Sequence, residues 1–279
     1  MNKNKLILFV ALALSVLISG CKETELFEKA APVDQLSGKT VGVMLAWESD
    51  YALSPRKDLT LIRYDGLPDM VMALRHDKID AIAIDALSAR IMERMVQGIK
   101  VVQPSVGKFG YCAGFNERNR ALLDDYNEFV AEYVQTEAYA DLQRRVDAFD
   151  GIDFEEGTVR PTGTGKVIRV AYPEGNFPCA YWDTTSDSVA GFDLEPLITW
   201  ANDRNYTMEI TGTTYSDMMM GLTRDRYDVA IGAISELYAG DMLTSGNLCS
   251  TPVVYLNNYF LIKTDNDMSA SSDFFETFE

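Results

Sequence analysis

Apolar residues recur along this chain with two spacings, which predict strands alternating with helices. The segments GKTVGVML, IDAIAI and YDVAIGAI are nearly continuous apolar runs, typical of parallel strands that helices cover on both faces. Elsewhere apolar residues repeat every three or four positions, as on one face of a helix. The clearest of these stripes are Leu122, Tyr126, Phe129 and Tyr133, and Leu194, Leu197, Ile198 and Ala201. The predicted fold class is α/β.

An internal repeat strengthens this prediction. The segment PDMVMALRHDKIDAIAID at residues 68–85 aligns without gaps to SDMMMGLTRDRYDVAIGA at residues 216–233. In each copy, Pro or Ser followed by Asp starts a short helix, and charged residues then turn the chain into a buried strand. The alternative is a chance likeness between two units of a common type, and the α/β prediction holds under either reading. The residues that recur are Asp69, Met70, Met72, Leu74, Asp77 and Asp80, as Asp217, Met218, Met220, Leu222, Asp225 and Asp228.

The repeat divides the chain into two α/β halves. The N-terminal half, residues 38–149, ends in the helical stripe that contains Phe129. Residues 150–165 are rich in Gly, Thr, Pro and acidic residues, a composition that predicts a linker. The C-terminal half, residues 166–264, ends in the strand VVYLNNYFLIK, and residues 265–279 follow as a tail without periodic pattern.

The first residues have the pattern of an export signal. Lys3 and Lys5 precede an apolar run from Leu6 to Ile18, which is too short for a bilayer core that asks for about 20 apolar residues. We therefore predict a signal peptide over residues 1–20 and a tether over residues 21–37. No later segment is apolar enough to span a membrane.

The end of that segment, LISGC, resembles the lipobox of bacterial lipoproteins. The resemblance implies that Cys21 becomes the first mature residue and carries lipid. The domain would then sit on the periplasmic or cell-surface side of a bacterial membrane. The alternative is an ordinary secretory signal with a coincidental cysteine.

Composition narrows the possible partners and chemistry. A formal net charge of −17 argues against nucleic acid and anionic lipid headgroups as partners. The single histidine, His76, and the lack of a CxxC motif leave little from which to build a zinc site or a histidine base, so no cofactor or metal is expected.

Three cysteines remain besides Cys21: Cys112, Cys179 and Cys249. An exported protein can form one disulfide from them and leaves one thiol over. A Cys179–Cys249 pair is favoured because both fall in the C-terminal half. The alternative is that all three stay reduced and buried.

Taken together, the motifs resemble the amino-acid-type family of extracellular solute-binding proteins that serve ABC importers. VIRVAYPEGNFPCAYW, GFDLEPLITWA, YSDMMMGL, YDVAIGAIS and CSTPVVY follow the order of that family's first lobe. GKTVGV, YDGLPDMVMAL, DKIDAIAID and GYCAGFNERNRALLDDYNEFVAEY follow the order of its second lobe and closing helix. The match covers about residues 38–264. It implies a periplasmic-binding-protein-like fold, with two α/β lobes joined by hinge strands around a cleft.

The order of the two halves is swapped relative to the family, because the second lobe comes first. We interpret the swap as a circular permutation, in which the 150–165 linker joins the family's termini and the chain opens elsewhere. The alternative is a fragment of a longer tandem whose halves belong to different binding domains. The featureless ending FFETFE is compatible with a further extension, such as an importer's membrane domain.

The resemblance also implies a set of ligand contacts. Asp85 occupies the place of the acid that binds the ammonium of an amino acid, although it could instead simply cap the helix that starts at Ala86. Tyr215 matches the aromatic residue that stacks on the ligand, and Ser235 matches a hydroxyl that contacts its head group. The other expected contacts are Asn176 and Phe177 on a first-lobe loop and Trp47 at the start of the opposite lobe's first helix.

The chain departs from the family at the carboxylate clamp. The family places an arginine five residues after the Ser235 position, where this chain has Gly240, and there is no Lys or Arg between Arg226 and Lys263. We expect a ligand with an amine and a weak or masked carboxylate, relaxed amino-acid binding, or no small ligand at all.

The function implied is a lipid-anchored solute-binding protein that delivers an amine-bearing or amino-acid-like solute to the membrane subunits of an ABC importer. One alternative is a sensor or scaffold domain that does not serve transport. Another is a dehydratase-like enzyme on the same scaffold, against which the lack of a suitable histidine or of paired carboxylates at recognisable spacing counts. The chain is therefore expected not to be an enzyme.

Overall fold

The computed structural model of the chain describes residues 36–232, 234–264 and 269–270. The predicted signal peptide, the Cys21 lipidation site and most of the tether and tail lie outside the described residues. In the part of the chain that is described, none of the helices combines the length and hydrophobicity that crossing a membrane requires.

Helices and strands alternate along the described chain. The strands are β1 (Thr40–Met44), β2 (Thr60–Tyr64), β3 (Ala81–Asp85), β4 (Val96–Gln97), β5 (Ile99–Tyr111), β6 (Gly114–Asn116), β7 (Val167–Pro173), β8 (Tyr181–Asp183), β9 (Ser188–Ala190), β10 (Thr207–Thr213), β11 (Val229–Ala230), β12 (Asn247–Cys249), β13 (Val254–Lys263) and β14 (Ser269–Ala270). The helices are α1 (Glu48–Leu53), α2 (Leu67–Arg75), α3 (Ala86–Met95), α4 (Arg120–Tyr133), α5 (Glu137–Ala148), α6 (Leu194–Asp203), α7 (Tyr215–Thr223) and α8 (Ala239–Thr244), with short 3-10 helices at Glu117–Asn119 and Glu236–Tyr238.

Two five-stranded sheets with the same topology define two lobes. Lobe A is built on the strand order β2-β1-β3-β13-β5 and comprises residues 40–111 and 254–263. Lobe B is built on the order β10-β7-β11-β6-β12 and comprises residues 114–249. The α/β prediction is confirmed.

Each sheet takes one strand from the opposite half of the chain. Strand β13 enters lobe A and pairs antiparallel with β3 and β5, and β6 enters lobe B and pairs antiparallel with β11 and β12. The closing helix α4 packs on α6 of lobe B. The sheets therefore cross the division of the chain into residues 38–149 and 166–264, and each half completes the other's sheet.

The sequence repeat occupies equivalent positions in the two lobes. The Asp80 carboxylate accepts a hydrogen bond of 2.8 Å from the backbone N–H of Thr40, and the Asp228 carboxylate accepts one of the same length from the backbone N–H of Arg169. Asp80 thus links the start of β3 to β1 in lobe A, and Asp228 links the start of β11 to β7 in lobe B. Asp77 and Asp225 also match, since both adopt positive φ, 54° and 60°, where the chain turns out of the helix.

The continuous apolar runs arise because both faces of each sheet are covered. Along β3 of lobe A, Ile82 and Ile84 point into one core cluster, whereas Ala81 and Ala83 point into another on the opposite face. Successive side chains of a strand alternate between faces, so apolar residues are favoured at every position of a strand that is buried on both sides.

The predicted linker is packed against lobe B. Phe154 joins the lobe B core, with its ring 6.2 Å from that of Phe192. The backbone N–H of Thr162 donates to the side chain of Asn202 at 2.8 Å, and that of Thr164 donates to Asn205 at 2.9 Å. The segment contains no helix or strand, and its hydrogen bonds follow the surface of lobe B.

Two crossings carry the chain between the lobes, and they run side by side. The first crossing is residues 112–113 and the second is residues 250–253. The N–H of Ser250 donates to the carbonyl of Ala113 at 2.8 Å, and the N–H of Val253 donates to the carbonyl of Tyr111 at 3.0 Å. A connection made of two adjacent strands is the arrangement about which lobes can rotate as rigid bodies.

The positions of the cysteines differ from those that the predicted disulfide requires. The three described thiols are free, so the expected Cys179–Cys249 disulfide is wrong. Cys179 lies in the main lobe B core, whereas Cys249 packs against a separate cluster that contains Cys112. Sharing one half of the chain did not bring two residues together, because the two faces of the lobe B sheet separate them.

Side chains also join the lobes outside the crossings. Tyr51 of α1 donates a hydrogen bond to the carboxylate of Asp241 in α8, and its ring lies 5.4 Å from that of Tyr238. Arg90 of α3 donates to the carbonyl of Phe149, at the end of α5, at 3.0 Å. These contacts bring α1 and α3 of lobe A against lobe B.

A buried ion pair fixes the closing helices to lobe B. Arg145 of α5 donates two hydrogen bonds to the carboxylate of Glu195 in α6, at 2.7 and 2.6 Å, and the two side chains are only 4% and 8% exposed. Glu195 also accepts from the N–H of Gly157 in the linker at 3.2 Å. Removing one member would leave the other charge buried without its partner, which is costly.

We therefore expect Arg145→Met to lower the free energy of unfolding by about 3 kcal/mol, measured by chemical denaturation. Arg144→Met on the same helix is the matched control, because Arg144 pairs with Asp141 and Glu155 at the surface. It should change stability little, since exposed pairs contribute little. Equal effects of the two substitutions would contradict the structural role of the Arg145–Glu195 pair.

Candidate ligand-binding site

A cavity of about 460 Å³ lies between the two lobes. This volume is in the range of small-molecule sites. Both lobes contribute to its walls, and Tyr111, at the end of β5, is among the lobe A residues that line it. A ligand in this cavity would touch both lobes at once.

Much of the lining comes from the carboxyl ends of the parallel strands. Trp47 and Glu48 follow β1, Asp85 ends β3, Glu174 follows β7, and Tyr215 follows β10. Loops at the carboxyl ends of parallel strands are the usual place for ligands in α/β folds. The pseudo-symmetric sheets therefore present their loops to one another across the cleft.

Asp85 lines the cavity and also caps a helix. Its Oδ1 accepts hydrogen bonds from the backbone N–H groups of Leu87 and Ser88, both at 2.9 Å, at the start of α3. The residue is 6% exposed, and this burial raises the pKa of its carboxyl group above the ordinary value. Capping and lining are compatible, because the cap fixes the carboxylate at the cleft wall.

Glu48 is a second buried acid in the same wall, and the sequence reasoning missed it. It is 3% exposed, and burial together with the negative charge of Asp85 raises its pKa to about 7, while hydrogen bonds from Tyr111 and Tyr238 act in the opposite direction. Its position directly after Trp47, in the first turn of α1, is the signal that could have identified it. The paired carboxylates that the sequence did not reveal are thus Glu48 and Asp85.

Aromatic side chains form much of the remaining wall. Trp47 and Tyr215 are 38% and 44% exposed, so their rings are open to the cleft region. Phe177 is held by Tyr181, whose ring centre lies 4.8 Å away, and by Phe149 at 5.7 Å. Asn176 lies beside Phe177 in the lining.

The structure does not bring every expected contact to the cavity. Trp47, Asp85, Asn176, Phe177 and Tyr215 line it together. Ser235 does not: it is fully buried, and its hydroxyl accepts a hydrogen bond from the N–H of Leu237 and caps the 3-10 helix that follows.

Gly240, at the expected place of the arginine clamp, faces open space in α8 and lies outside the lining. Among the described residues of the lining there is no Lys, Arg or His, while Glu48, Asp85 and Glu174 are acidic. The cavity is therefore an acidic, aromatic site. Within the described ranges, no group of three or more His, Cys, Asp or Glu residues is placed to hold a metal ion.

Comparison with solved structures finds similar folds at low sequence identity. The ligand-binding component of an ABC-type import system from Staphylococcus aureus aligns at 11% identity with a TM-score of 0.42, over 81% of this chain and 65% of that protein. A probable amino-acid ABC transporter extracellular-binding protein from Bacillus subtilis aligns at 11% identity with a TM-score of 0.40, over 82% and 84% of the two chains.

A periplasmic substrate-binding protein of an ABC transporter from Coxiella burnetii aligns at 14% identity with a TM-score of 0.39, over 82% and 86% of the two chains. No protein-family model matches the chain, and no match is found among curated proteins. The structure itself shows an α/β fold of two lobes with a cavity between them.

The raised pKa of Glu48 predicts a pH-dependent stability. The folded protein holds the Glu48 proton more tightly than the unfolded chain, where the pKa is near its ordinary value of 4.5. The stability due to protonated Glu48 is therefore complete below about pH 4.5 and is lost as the pH rises to about 7. Over that window the loss is about 3 kcal/mol.

Glu48→Gln replaces the acid with a neutral side chain of the same shape and should remove this loss. The difference in unfolding free energy between the variant and the parent protein should shift in favour of the variant by about 3 kcal/mol from pH 4.5 to 7. Denaturant titrations at several pH values measure it. A difference that stays constant with pH would show that Glu48 does not titrate in this window.

Proposed function

We propose that this chain is a solute-binding protein that captures a small amine-bearing solute between its lobes and delivers it to an ABC importer. The observation that carries the proposal is a pair of buried carboxylates, Glu48 and Asp85, in an aromatic interlobe cavity whose described lining has no basic residue. Two buried acids without a cationic partner are costly to ionise, and a ligand cation removes that cost.

The proposed contacts follow from the chemistry of the lining. An ammonium group lies against Glu48 and Asp85 and donates charge-assisted hydrogen bonds to them. The apolar body of the solute lies between Trp47, Phe177 and Tyr215, whose ring faces also attract positive charge. With Gly240 in place of an arginine, a carboxylate on the solute would have no charged partner in this lining, so an amine without a free carboxylate fits best.

Binding would be coupled to closure of the lobes. A solute that touches Asp85 of lobe A and Phe177 of lobe B favours the arrangement in which both are close to it. The Tyr51–Asp241 hydrogen bond and the Tyr51–Tyr238 ring contact also join the two lobes and would stabilise the closed arrangement. The two adjacent crossings provide the axis of movement.

The proposal includes the order of the chain and its attachment. We propose that the swapped lobes result from circular permutation, supported by the exchange of β6 and β13 and by the linker that joins α5 to β7. The two crossings and the shared cavity favour one clamp over two halves of different domains. A lipid on Cys21, on the outer side of a bacterial membrane, would hold this clamp beside the importer's membrane subunits.

A dehydratase-like enzyme is the second candidate, because the pKa of Glu48, at about 7, suits a general acid or base. A sensor domain that closes without serving transport would share the same contacts. Conversion of a bound solute would indicate the enzyme. Binding without conversion and without transport-linked uptake in cells would indicate the sensor.

The test of ligand class compares cations with anions of similar size. Butylamine and 1,4-diaminobutane should raise the melting temperature of the purified protein, whereas butyrate should not. For the amine that binds best, Glu48→Gln and Asp85→Asn should each weaken binding at least about tenfold in calorimetry, since each removes a charge-assisted contact.

Asn can still cap α3 in the Asp85→Asn variant, so the fold is expected to persist. Glu128→Gln is the matched control, because Glu128 is an exposed acid on α4 outside the cavity lining, and its loss should leave affinity unchanged. Unchanged affinity in both cleft variants, or preferred binding of butyrate, would refute the proposal.

The affinity for the amine should also depend on pH. Glu48 must lose its proton before it can pair with a cation, so affinity should rise as the pH increases through about 7 and level off above it. Calorimetry across this range with a fixed amine measures the effect. In Glu48→Gln the rise should disappear, and an unchanged profile in that variant would assign the pH dependence to another group.

A further inference from the structure

Cys112 and Cys249 lie next to each other where the two crossings meet lobe B. Cys112 is the first residue of the first crossing, and Cys249 ends β12 immediately before the second. The crossings are hydrogen-bonded here: the N–H of Ala113 donates to the hydroxyl of Ser250 at 2.9 Å, and the N–H of Ser250 donates to the carbonyl of Ala113 at 2.8 Å. The backbones that carry the two thiols are therefore held in fixed register.

Both thiols point to the same face of the lobe B sheet. Ala113 belongs to the main lobe B core, whereas Cys112 belongs to the smaller cluster on the other face, and Cys249 packs against that same cluster. Cys249 pairs directly with Gly114, the residue that follows Ala113. Because alternate residues of an extended chain share a face, Cys112 and Cys249 are diagonal neighbours on either side of Gly114, and Met242 packs over the glycine and against Cys249.

The electrostatics of the two thiols agree with this proximity. Cys112 Sγ donates a hydrogen bond to the carbonyl of Ile234 at 3.3 Å, and Cys249 Sγ lies 3.1 Å from Sδ of Met242. The interaction between the two neighbouring thiols lowers the pKa of Cys249, and together with burial it raises the pKa of Cys112. Cys249 is also the more accessible of the two, being half-buried where Cys112 is buried. The more acidic and more accessible thiol is the one suited to react first.

We propose that Cys112 and Cys249 are a disulfide site that links the two crossings, oxidised by thiol–disulfide exchange with a small-molecule or protein disulfide. The Cys249 thiolate attacks one sulfur of the donor disulfide, whose S–S bond breaks and releases one thiol. The Cys112 thiolate then attacks the Cys249 sulfur and releases the second donor thiol. Two protein thiols are oxidised, one donor disulfide is reduced to two thiols, and the two protons pass to the released thiolates.

The bond would tie the crossings together at their lobe B end and leave the lobe A end free. Rotation of the lobes would then be confined to the lobe A end of the crossings, where Val253 lies beside Tyr111. The bond also closes a long loop of the unfolded chain, between residues 112 and 249, so it should stabilise the folded protein. Cys179 lies in the main core of lobe B and is an internal control, since it should remain a thiol.

The experiment treats the full chain with oxidised glutathione under native conditions, blocks the remaining thiols with an alkylating reagent after unfolding, and maps the peptides by mass spectrometry. We expect one linked peptide that contains Cys112 and Cys249, with Cys179 alkylated. The melting temperature of the oxidised protein should rise by about 5 °C or more and return to its starting value with dithiothreitol.

Cys112→Ser should stop the reaction at a glutathione adduct on Cys249, and Cys179→Ser should leave the linked peptide unchanged. The proposal is overturned if the parent protein accumulates only the Cys249–glutathione adduct, if Cys112, Cys179 and Cys249 are all recovered as thiols, or if the link involves Cys179. These outcomes are independent of which solute the cleft binds.

Discussion

The exchange of one strand between the two halves of the chain is the constraint on which the rest of this structure depends. Strand β13 lies between β3 and β5 of lobe A, and β6 lies between β11 and β12 of lobe B. Neither sheet is complete without the other half, so neither half can bury its core alone. The same exchange forces the chain to cross twice between the lobes, and the two crossings place the loops of one sheet opposite those of the other.

The resulting cleft contains two buried carboxylates whose negative charges are unfavourable. Glu48 begins α1 and Asp85 ends β3 in lobe A, and both are nearly inaccessible to solvent. Burial and mutual repulsion oppose their ionisation, and no basic residue of the described lining offsets it. Two buried acids without a positive partner lower the stability of the folded protein when the cavity is empty. A bound cation would stabilise it by pairing with them, whereas a structural ion pair already contains both charges. The Arg145–Glu195 pair is the contrast within the same protein, because there each buried charge has its partner.

The pseudo-symmetry of the lobes explains why the repeat is visible in the sequence at all. Asp80 and Asp228 each bind the backbone at the start of a neighbouring strand, and Asp77 and Asp225 each take the positive φ that the turn requires. These roles depend on a short polar side chain at one backbone position, so few substitutions satisfy them. The segments that line the cavity do not have to provide these backbone contacts. The segment after β1 brings Trp47 and Glu48 to the cavity, whereas the segment after β7 brings Asn176 and Phe177, so the two lobes line the cleft with different side chains.

The sequence alone determined those features that depend on neighbours along the chain. The spacing of apolar residues predicts the α/β class, and the position of Asp85 at the end of a buried run places it both at a helix start and at the carboxyl edge of a sheet. Partners distant in sequence were decided only by the tertiary structure. The run VVYLNNYFLIK reads as a strand from its composition, but its place in lobe A follows from pairing with β3 and β5. The same holds for Ser235, which lies outside the cavity lining, for the burial of Glu48, and for the proximity of Cys112 to Cys249. Local periodicity specifies which face of an element a side chain occupies, and only the packing of the sheets specifies what lies opposite that face.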